Sequence, residues 1–238
     1  MTENTTKERP LLSVTFVWLA ITFCVCLVAS NIFVPRLWRV GNLPLQLSGA
    51  VVIFPISYII NDCLTEVYGF RKARLVIWIG FILSAFIALA GQIITMLPAP
   101  LYDDSVPVAE SFNMLFGLVP RTTFASLVAF ICGSQFNAWV MSKMKIATKG
   151  RGFGWRAIVS SLGGELADSL IFYPIAFAGS LPVKGIIGII CTQVFVKTLY
   201  EVIVLPLTSV LVKKLKAHEG IDTYDYNISY NPFKISDI

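Results

Sequence analysis

Six ionisable residues interrupt otherwise apolar runs of this 238-residue chain. Asp62 and Glu66 are four residues apart, Glu165 and Asp168 three, Lys197 and Glu201 four. In a helix, each pair projects from one face. Five carboxylates and one ammonium cannot all stay charged in a dry interior; some must be protonated, paired or hydrated. A carboxylate accepts hydrogen bonds, and one can take two adjacent N–H groups of a guanine-like edge. A surplus of acid also suits a ligand ammonium. The chemistry implied is capture of a small polar solute that is donor-rich or cationic. The bland alternative is internal pairing, Lys197 with Glu201 or with Asp168, with Glu66 reaching the membrane surface.

Uncharged polar residues extend this set. Ser30 and Asn31, Gln92, Gln135 and Asn137, and Gln193 all lie within apolar runs. Singly such groups join helices; beside the carboxylates they predict a polar central cavity. Pro55 and Pro174 are expected inside helices, freeing carbonyls and kinking the chain around that cavity. Phe54, Tyr58, Phe172 and Tyr173 offer stacking faces. The five cysteines, Cys24, Cys26, Cys63, Cys132 and Cys191, show no C-x-x-C or zinc spacing. The lone His218 follows the last apolar run. No metal site, no Ser–His dyad and no cofactor are therefore expected.

The elements that must carry these residues are membrane helices. The chain is 56% hydrophobic and 14% charged, with mean hydropathy +0.75. A soluble domain is about a quarter charged, so a soluble enzyme, a disordered regulator and a secreted disulfide scaffold are excluded. A span needs about 20 apolar residues. Six runs qualify: Leu11 to Val34, Leu43 to Tyr68, Leu75 to Leu97, Val119 to Met141, Ile158 to Ala178 and Gly185 to Val212. The first is too long for a signal-peptide core and lacks a small-residue cleavage site. Ser111 to Leu118 reads as a short interfacial segment. The expected fold is an all-α membrane protein, six transmembrane helices in one bundle. Its expected organisation is a cytoplasmic segment over 1–10, a six-helix transmembrane domain over 11–212 and a cytoplasmic tail over 213–238.

Basic residues set the orientation. Fourteen of the nineteen fall on one side of a six-span reading: Lys7, Arg9, Arg71, Lys72, Arg74, Lys143, Lys145, Lys149, Arg151, Arg156, Lys213, Lys214, Lys216 and Lys234. Arg36, Arg39, Arg121 and Lys184 fall on the other, and Lys197 within the sixth run. The richer side is cytoplasmic, so both termini are inside. The net charge of +5 is then a topology signal and points to no nucleic-acid partner. Asn61-Asp62-Cys63-Leu64 also echoes Ala167-Asp168-Ser169-Leu170. Each is in the middle helix of a three-helix half, as a 3+3 inverted repeat would have it.

Two longer blocks carry a resemblance. Phe54 to Gly69, reading FPISYIINDCLTEVYG, and Gly163 to Phe172, reading GGELADSLIF, resemble the queuosine precursor transporter family. This family belongs to the wider vitamin uptake transporters. The run Arg71-Lys72-Ala73-Arg74, Ser30-Asn31, Arg121 with Ser126 and Gln135, Lys197, and the tail Tyr230-Asn231-Pro232-Phe233 match it too. The resemblance covers nearly the whole chain after about Val25. It implies an inner-membrane importer of 7-cyano-7-deazaguanine, 7-aminomethyl-7-deazaguanine or queuine, salvaged for tRNA queuosine. It also implies a six-helix fold similar to the substrate-capture subunits of energy-coupling-factor transporters. Asp62, with Glu165 or Asp168, would take the purine-like edge; Lys197 would serve a carbonyl or hold a carboxylate in place.

The candidate substrate-binding set is Ser30, Asn31, Tyr58, Asp62, Glu66, Arg121, Gln135, Asn137, Glu165, Asp168, Lys197 and Glu201. The partners implied are a small 7-deazaguanine and the lipid bilayer. The A-x-x-x-A pattern of ATPase-coupled capture subunits is not apparent in the first run, which counts against a capture subunit for another vitamin or nucleobase. An intramembrane aspartyl protease could use Asp62 and Asp168 as a dyad, but Glu165-Leu166-Ala167 precede Asp168 where Gly-x-Gly is usual. No enzymatic activity is expected.

Overall fold

The computed structural model describes residues 13–33, 36–39, 46–98, 100–117, 120–179 and 182–234. Among these, seven α-helices dominate: α1 (Val14–Phe33), α2 (Phe54–Tyr68), α3 (Phe70–Thr95), α4 (Val106–Gly117), α5 (Pro120–Ala147), α6 (Phe153–Phe177) and α7 (Val183–Glu219). Four helical stretches are long and apolar enough to cross a membrane: Val14–Phe33, Phe70–Thr95, Phe124–Ala147 and Val183–Glu219. At 1.5 Å per residue the shortest is about 30 Å, the thickness of a hydrocarbon core. Trp18, Val25, Phe86, Leu89, Phe195 and Ile203 are all exposed on these helices, as lipid-facing residues must be. Apart from one small hairpin, the described residues form an all-helical membrane protein.

That hairpin corrects the second apolar run. Leu37–Arg39 (β1) pairs antiparallel with Gln46–Ser48 (β2), Trp38 opposite Leu47. A 3₁₀ turn over Gly49–Val52 follows, and only then does α2 begin. The predicted helix from Leu43 therefore shrinks to 15 residues, about 22 Å. Pro55 occupies the first turn of α2, where its missing N–H costs nothing. It starts the helix and does not kink it. Pro174 does lie inside α6, and so does Pro206 inside α7. The expected segment from Ser111 falls within helix α4, which begins at Val106; Leu118 lies outside the described residues, as does the expected segment over 1–10.

The helix ends that carry basic residues run longer than hydrophobicity alone suggests. The first residues of α3 are the basic run after Gly69, and α5 continues six residues past Met141 to Ala147. Helix α6 starts at Phe153, and α7 continues past Val212 to Glu219. Polar helix formers extend these helices beyond the apolar runs, and Arg74, Lys145 and Arg156 among them are buried. Gly220, left-handed at φ 63°, closes α7 with its N–H on the Lys216 carbonyl.

Gly69 alone separates α2 from α3, at φ 87°. A Cβ there would lie 2.8 Å from Thr223 Cγ2 and 2.9 Å from Asp225 Oδ1, so the turn also seats the C-terminal tail. The Phe70 N–H donates to Asp225 Oδ2 at 2.9 Å. Helix α3 has no acidic residue in its first turn; the tail supplies the negative charge its N-terminus favours. The tail then runs across α3. Arg74 donates to the carbonyls of Ser229 and Asn231 at 3.1 and 2.7 Å, and Trp78 Nε1 to that of Pro232 at 2.7 Å. The apolar core is continuous beneath: Phe23 and Leu27 of α1, Leu64 and Val67 of α2, Ile77 of α3 and Phe130 of α5 are all buried together.

Candidate substrate site

Helices α2, α5, α6 and α7 converge on the predicted acidic residues. The approach of α5 to α6 rests on two glycines. A Cβ at Gly133 would lie 2.7 Å from the Gly164 carbonyl oxygen and 3.0 Å from Tyr58 Oη; one at Gly164 would lie 2.8 Å from the Gly133 carbonyl oxygen. Small residues at such a crossing let membrane helices touch backbone to backbone. The crossing brings α6 carboxylates against α2.

Asp62 is buried at this junction. Its Oδ1 accepts from Asn137 Nδ2 at 3.0 Å and its Oδ2 from Ser161 Oγ at 3.4 Å. Asn61 beside it donates to the Ser134 carbonyl at 3.3 Å. Glu201 of α7 is buried as well, and by geometry neither of its carboxylate oxygens has a hydrogen-bond partner. Glu165 accepts from Thr198 Oγ1 at 3.3 Å. Lys197 Nζ stands 3.6 Å from Asp168 Oδ2 and 4.3 Å from the centre of the Phe54 ring. Of the two internal pairings considered, Lys197 thus takes Asp168.

The balance of donors and acceptors is uneven here. Glu201 Oε1 and Oε2 and Asn137 Oδ1 are buried acceptors without donors, and the hydroxyls of Tyr58 and Ser169 are unpartnered as well. Buried polar groups are normally satisfied. A group bringing hydrogen-bond donors would complete this arrangement. Phe54 and Tyr58 stand 5.3 Å apart with tilted rings at its edge.

Other predicted site residues stand elsewhere. Glu66 lies one turn from Asp62 but is wholly enclosed by cations. Arg156 grips both its oxygens, with Nη2 to Oε1 at 2.9 Å, and Lys216 Nζ reaches Oε1 at 2.6 Å. Lys145 Nζ donates to the Glu66 carbonyl at 2.5 Å, to Asp222 Oδ1 at 2.6 Å and to the Thr223 carbonyl at 2.6 Å. Ser30 donates to its own helix, to the Leu27 carbonyl at 2.8 Å. Asn31 accepts from Ser126 Oγ at 2.8 Å, eleven residues and about 16 Å along α5 from Asn137. Gln135 is buried with neither amide atom partnered. Arg121 is in the first turn of α5, and its side chain lies outside the described residues. Gln92 donates to the Phe116 carbonyl and so ties α3 to α4.

Sequence reasoning did not single out Ser161, Thr198 or Gly133 as parts of the site, nor Arg156, Lys145 and Lys216 as partners of Glu66. Their only signal is the helical register: Ser161 is four residues before Glu165, and Thr198 follows Lys197. Asp222 completes the cation cluster, 2.9 Å from Lys216. Partial burial alone would raise its carboxyl, but the Lys145 and Lys216 ammonium groups outweigh this and hold it below its ordinary value.

The family model described as "Putative vitamin uptake transporter" matches residues 48–211, which contain every carboxylate of the site. A "Probable queuosine precursor transporter" of Bacillus subtilis (strain 168) is 27% identical over 192 residues, covering 80% of this chain and 80% of that protein. No solved structure matches the chain. Apolar helices of membrane length, buried carboxylates between them and this family match agree: the chain belongs to the vitamin uptake transporter family and is a multi-pass membrane transporter, not an enzyme.

Proposed function

We propose that the chain imports queuosine precursors, 7-cyano-7-deazaguanine, 7-aminomethyl-7-deazaguanine or queuine, across the bacterial inner membrane for salvage into tRNA queuosine. The observation that carries this reading is the acceptor-rich, buried site between α2, α5, α6 and α7, in a chain similar to a relative named for that transport. A 7-deazaguanine presents adjacent N–H donors along its guanine-like edge. Glu165, which has only Thr198 as a donor partner on one oxygen, would take that edge. Lys197 would turn from Asp168 to the ring carbonyl, and Phe54 or Tyr58 would cover a ring face.

In this reading α2 and α6 join the four membrane-length stretches to make six spans, two halves of three in inverted orientation. The acidic residues of α2 and α6 would then be equivalent positions at the repeat interface. Arg74, Lys143, Lys145, Arg156 and Lys216 meet the tail or Glu66 at one end of the bundle, which the positive-inside rule makes cytoplasmic. Residues 11–212 form the transporter domain and 213–238 the tail.

The test is a strain unable to make queuosine, supplied with each base at low concentration. Expression of this chain should restore queuosine in tRNA with at least one of them. No restoration with any of the three, from protein shown to be in the membrane, overturns the assignment. Uptake of a different vitamin would move the chain to another substrate of its family.

A further inference from the structure

We propose that the last stretch of α7, from Pro206 to Glu219, is the gate through which substrate leaves toward the cytoplasm, with Lys216 on Glu66 as its bolt. The proposal rests on the transporter reading and on its cytoplasmic placing of this end, and adds the moving part. Each helix of the candidate site also contributes to the ionic joint, always on the same side of the site. Glu66 follows Asp62 on α2, Lys145 follows Asn137 on α5, Arg156 precedes Ser161 on α6, and Lys216 follows Glu201 on α7. A solute leaving the site toward that end meets this layer. Met141, one turn past Asn137, puts its sulfur 3.9 Å from Arg156 Nη1 and so lies between site and joint. Glu66, Arg156 and Met141 have no exposed surface, so the way is shut in this structure.

The contacts of the joint differ in what their loss leaves behind. Withdrawing Arg156 would strand a buried charge on each side. Lys145 is held by the Glu66 and Thr223 carbonyls and by Asp222. Lys216 is 23% exposed, and its departure puts its ammonium into water. Glu66 then keeps the Arg156 fork, with Lys145 Nζ 3.9 Å from the vacated Oε1. The joint therefore parts most easily at Lys216. The tail stays behind with α2, α3 and α5: the Thr223 N–H donates to the Val67 carbonyl at 3.2 Å, and Asp225 Oδ2 accepts from the Phe70 N–H and from Ser142 Oγ.

Helix α7 is built to move there. Pro206 lacks the N–H that would bond the Val202 carbonyl, and Gly220, left-handed, ends the helix at the tail. Prolines and element ends are where helices bend and hinges sit. Between these two breaks, Thr208, Val212 and Leu215 form one buried stripe, while Leu207, Val210 and Leu211 are exposed. A segment held by one narrow stripe and one half-hydrated ammonium can tilt away without unfolding the bundle.

Cysteine accessibility in everted membrane vesicles, with no substrate present, tests the gate. The five native cysteines are replaced by alanine. Met141→Cys is then the reporter, and Ala73→Cys, buried on α3 at the same end, is the control. A membrane-impermeant maleimide should label both slowly. Lys216→Gln should speed labelling of Met141→Cys about tenfold, the population shift that loss of one charge-assisted hydrogen bond gives, and leave Ala73→Cys slow. Adding Pro206→Ala, which restores the helix hydrogen bond, should reverse most of that gain. Fast labelling of Met141→Cys with Lys216 in place overturns the proposal, as does labelling equally slow without it. Equal acceleration of both reporters would mean that the joint merely holds the fold, and a gain that survives Pro206→Ala would put the hinge elsewhere; each of these also overturns it. A chain that labels as expected yet imports none of the three bases keeps its gate and loses its substrate assignment.

Discussion

Arg156 meets Glu66 with both arms of its guanidinium, across ninety residues of sequence and with neither side chain exposed. A planar fork on a carboxylate is the strongest geometry for a buried ion pair. Lys216 on the same carboxylate, and Lys145 on its backbone carbonyl, turn the pair into the joint that fastens α2, α5, α6 and α7 at one end. Glu66 is thereby tied to Arg156 and Lys216, while Asp62, one turn away, has Asn137 and Ser161.

Removing that carboxylate strands the buried Arg156 guanidinium and leaves Lys145 and Lys216 with Asp222 as their carboxylate. Glu66→Gln should cost about 3–5 kcal/mol, read as a large fall in the thermal midpoint of the detergent-solubilised protein. Arg156→Lys should also destabilise, because an ammonium cannot replace the two-armed contact. Wild-type melting in both variants would contradict the joint.

The α5–α6 crossing makes a second stability prediction. Gly133→Ala and Gly164→Ala each push a methyl against a backbone oxygen, at 2.7 and 2.8 Å. Roughly 1–3 kcal/mol of destabilisation should follow from the overpacking. Uptake should fall with it, because the same crossing seats Asp168 and Tyr58 against Gly133. Melting and transport measured together would show both losses; unaffected values for both would mean the helices can part without consequence.

At the site itself, Asp168→Asn and Lys197→Ala should each abolish uptake while the protein still inserts. The pair is not deeply closed, its separation being 3.6 Å, so it can open to admit a carbonyl. Membrane fractionation with a transport assay checks this. Wild-type uptake in both variants would remove these residues from the site.

The tail should respond to acid. Asp222 is held below its ordinary value by Lys145 and Lys216 despite its partial burial. A depressed folded value means its contribution is fully present above the ordinary carboxylate range, about pH 4, and is lost as pH falls through the lower folded value. Its carboxylate is 44% exposed, so solvent screens much of the effect. Cleavage within 221–233 by an acid-active protease should therefore rise only below about pH 4. Asp222→Asn should show part of that rise already at about pH 5, where the wild-type carboxylate is still ionised. Cleavage independent of both would show that Asp225 and Arg74 hold the tail unaided.

The sequence made the membrane class legible because lipid demands long apolar runs, and α1, α3, α5 and α7 are such runs. It made the site legible because charge inside those runs has few innocent explanations: Asp62, Glu165, Asp168, Lys197 and Glu201 do converge. What it hid was pairing. Lys145, Arg156 and Lys216 read as surface charge because each lies near the end of an apolar run, and nothing local says that Glu66 turns toward them. The start of α2 is hidden for a different reason. Gln46 to Ile53 is apolar enough for a span, and only the pairing of Gln46–Ser48 with Leu37–Arg39 shows that the helix starts later. Pro55 reads as a kink only while the helix is begun at Leu43, eleven residues before its true start at Phe54.

The tail that crosses Gly69 has a consequence for how the molecule is made. Glu66 enters the membrane early in synthesis, while Arg156, Lys216, Asp222 and Asp225 emerge much later. Until they do, one buried carboxylate lacks its cations and the N-terminus of α3 lacks its cap. A nascent chain halted before Asp225 is therefore an unfinished clasp, with Glu66 and the start of α3 still unfastened. Completion of the last turn of chain is what closes it.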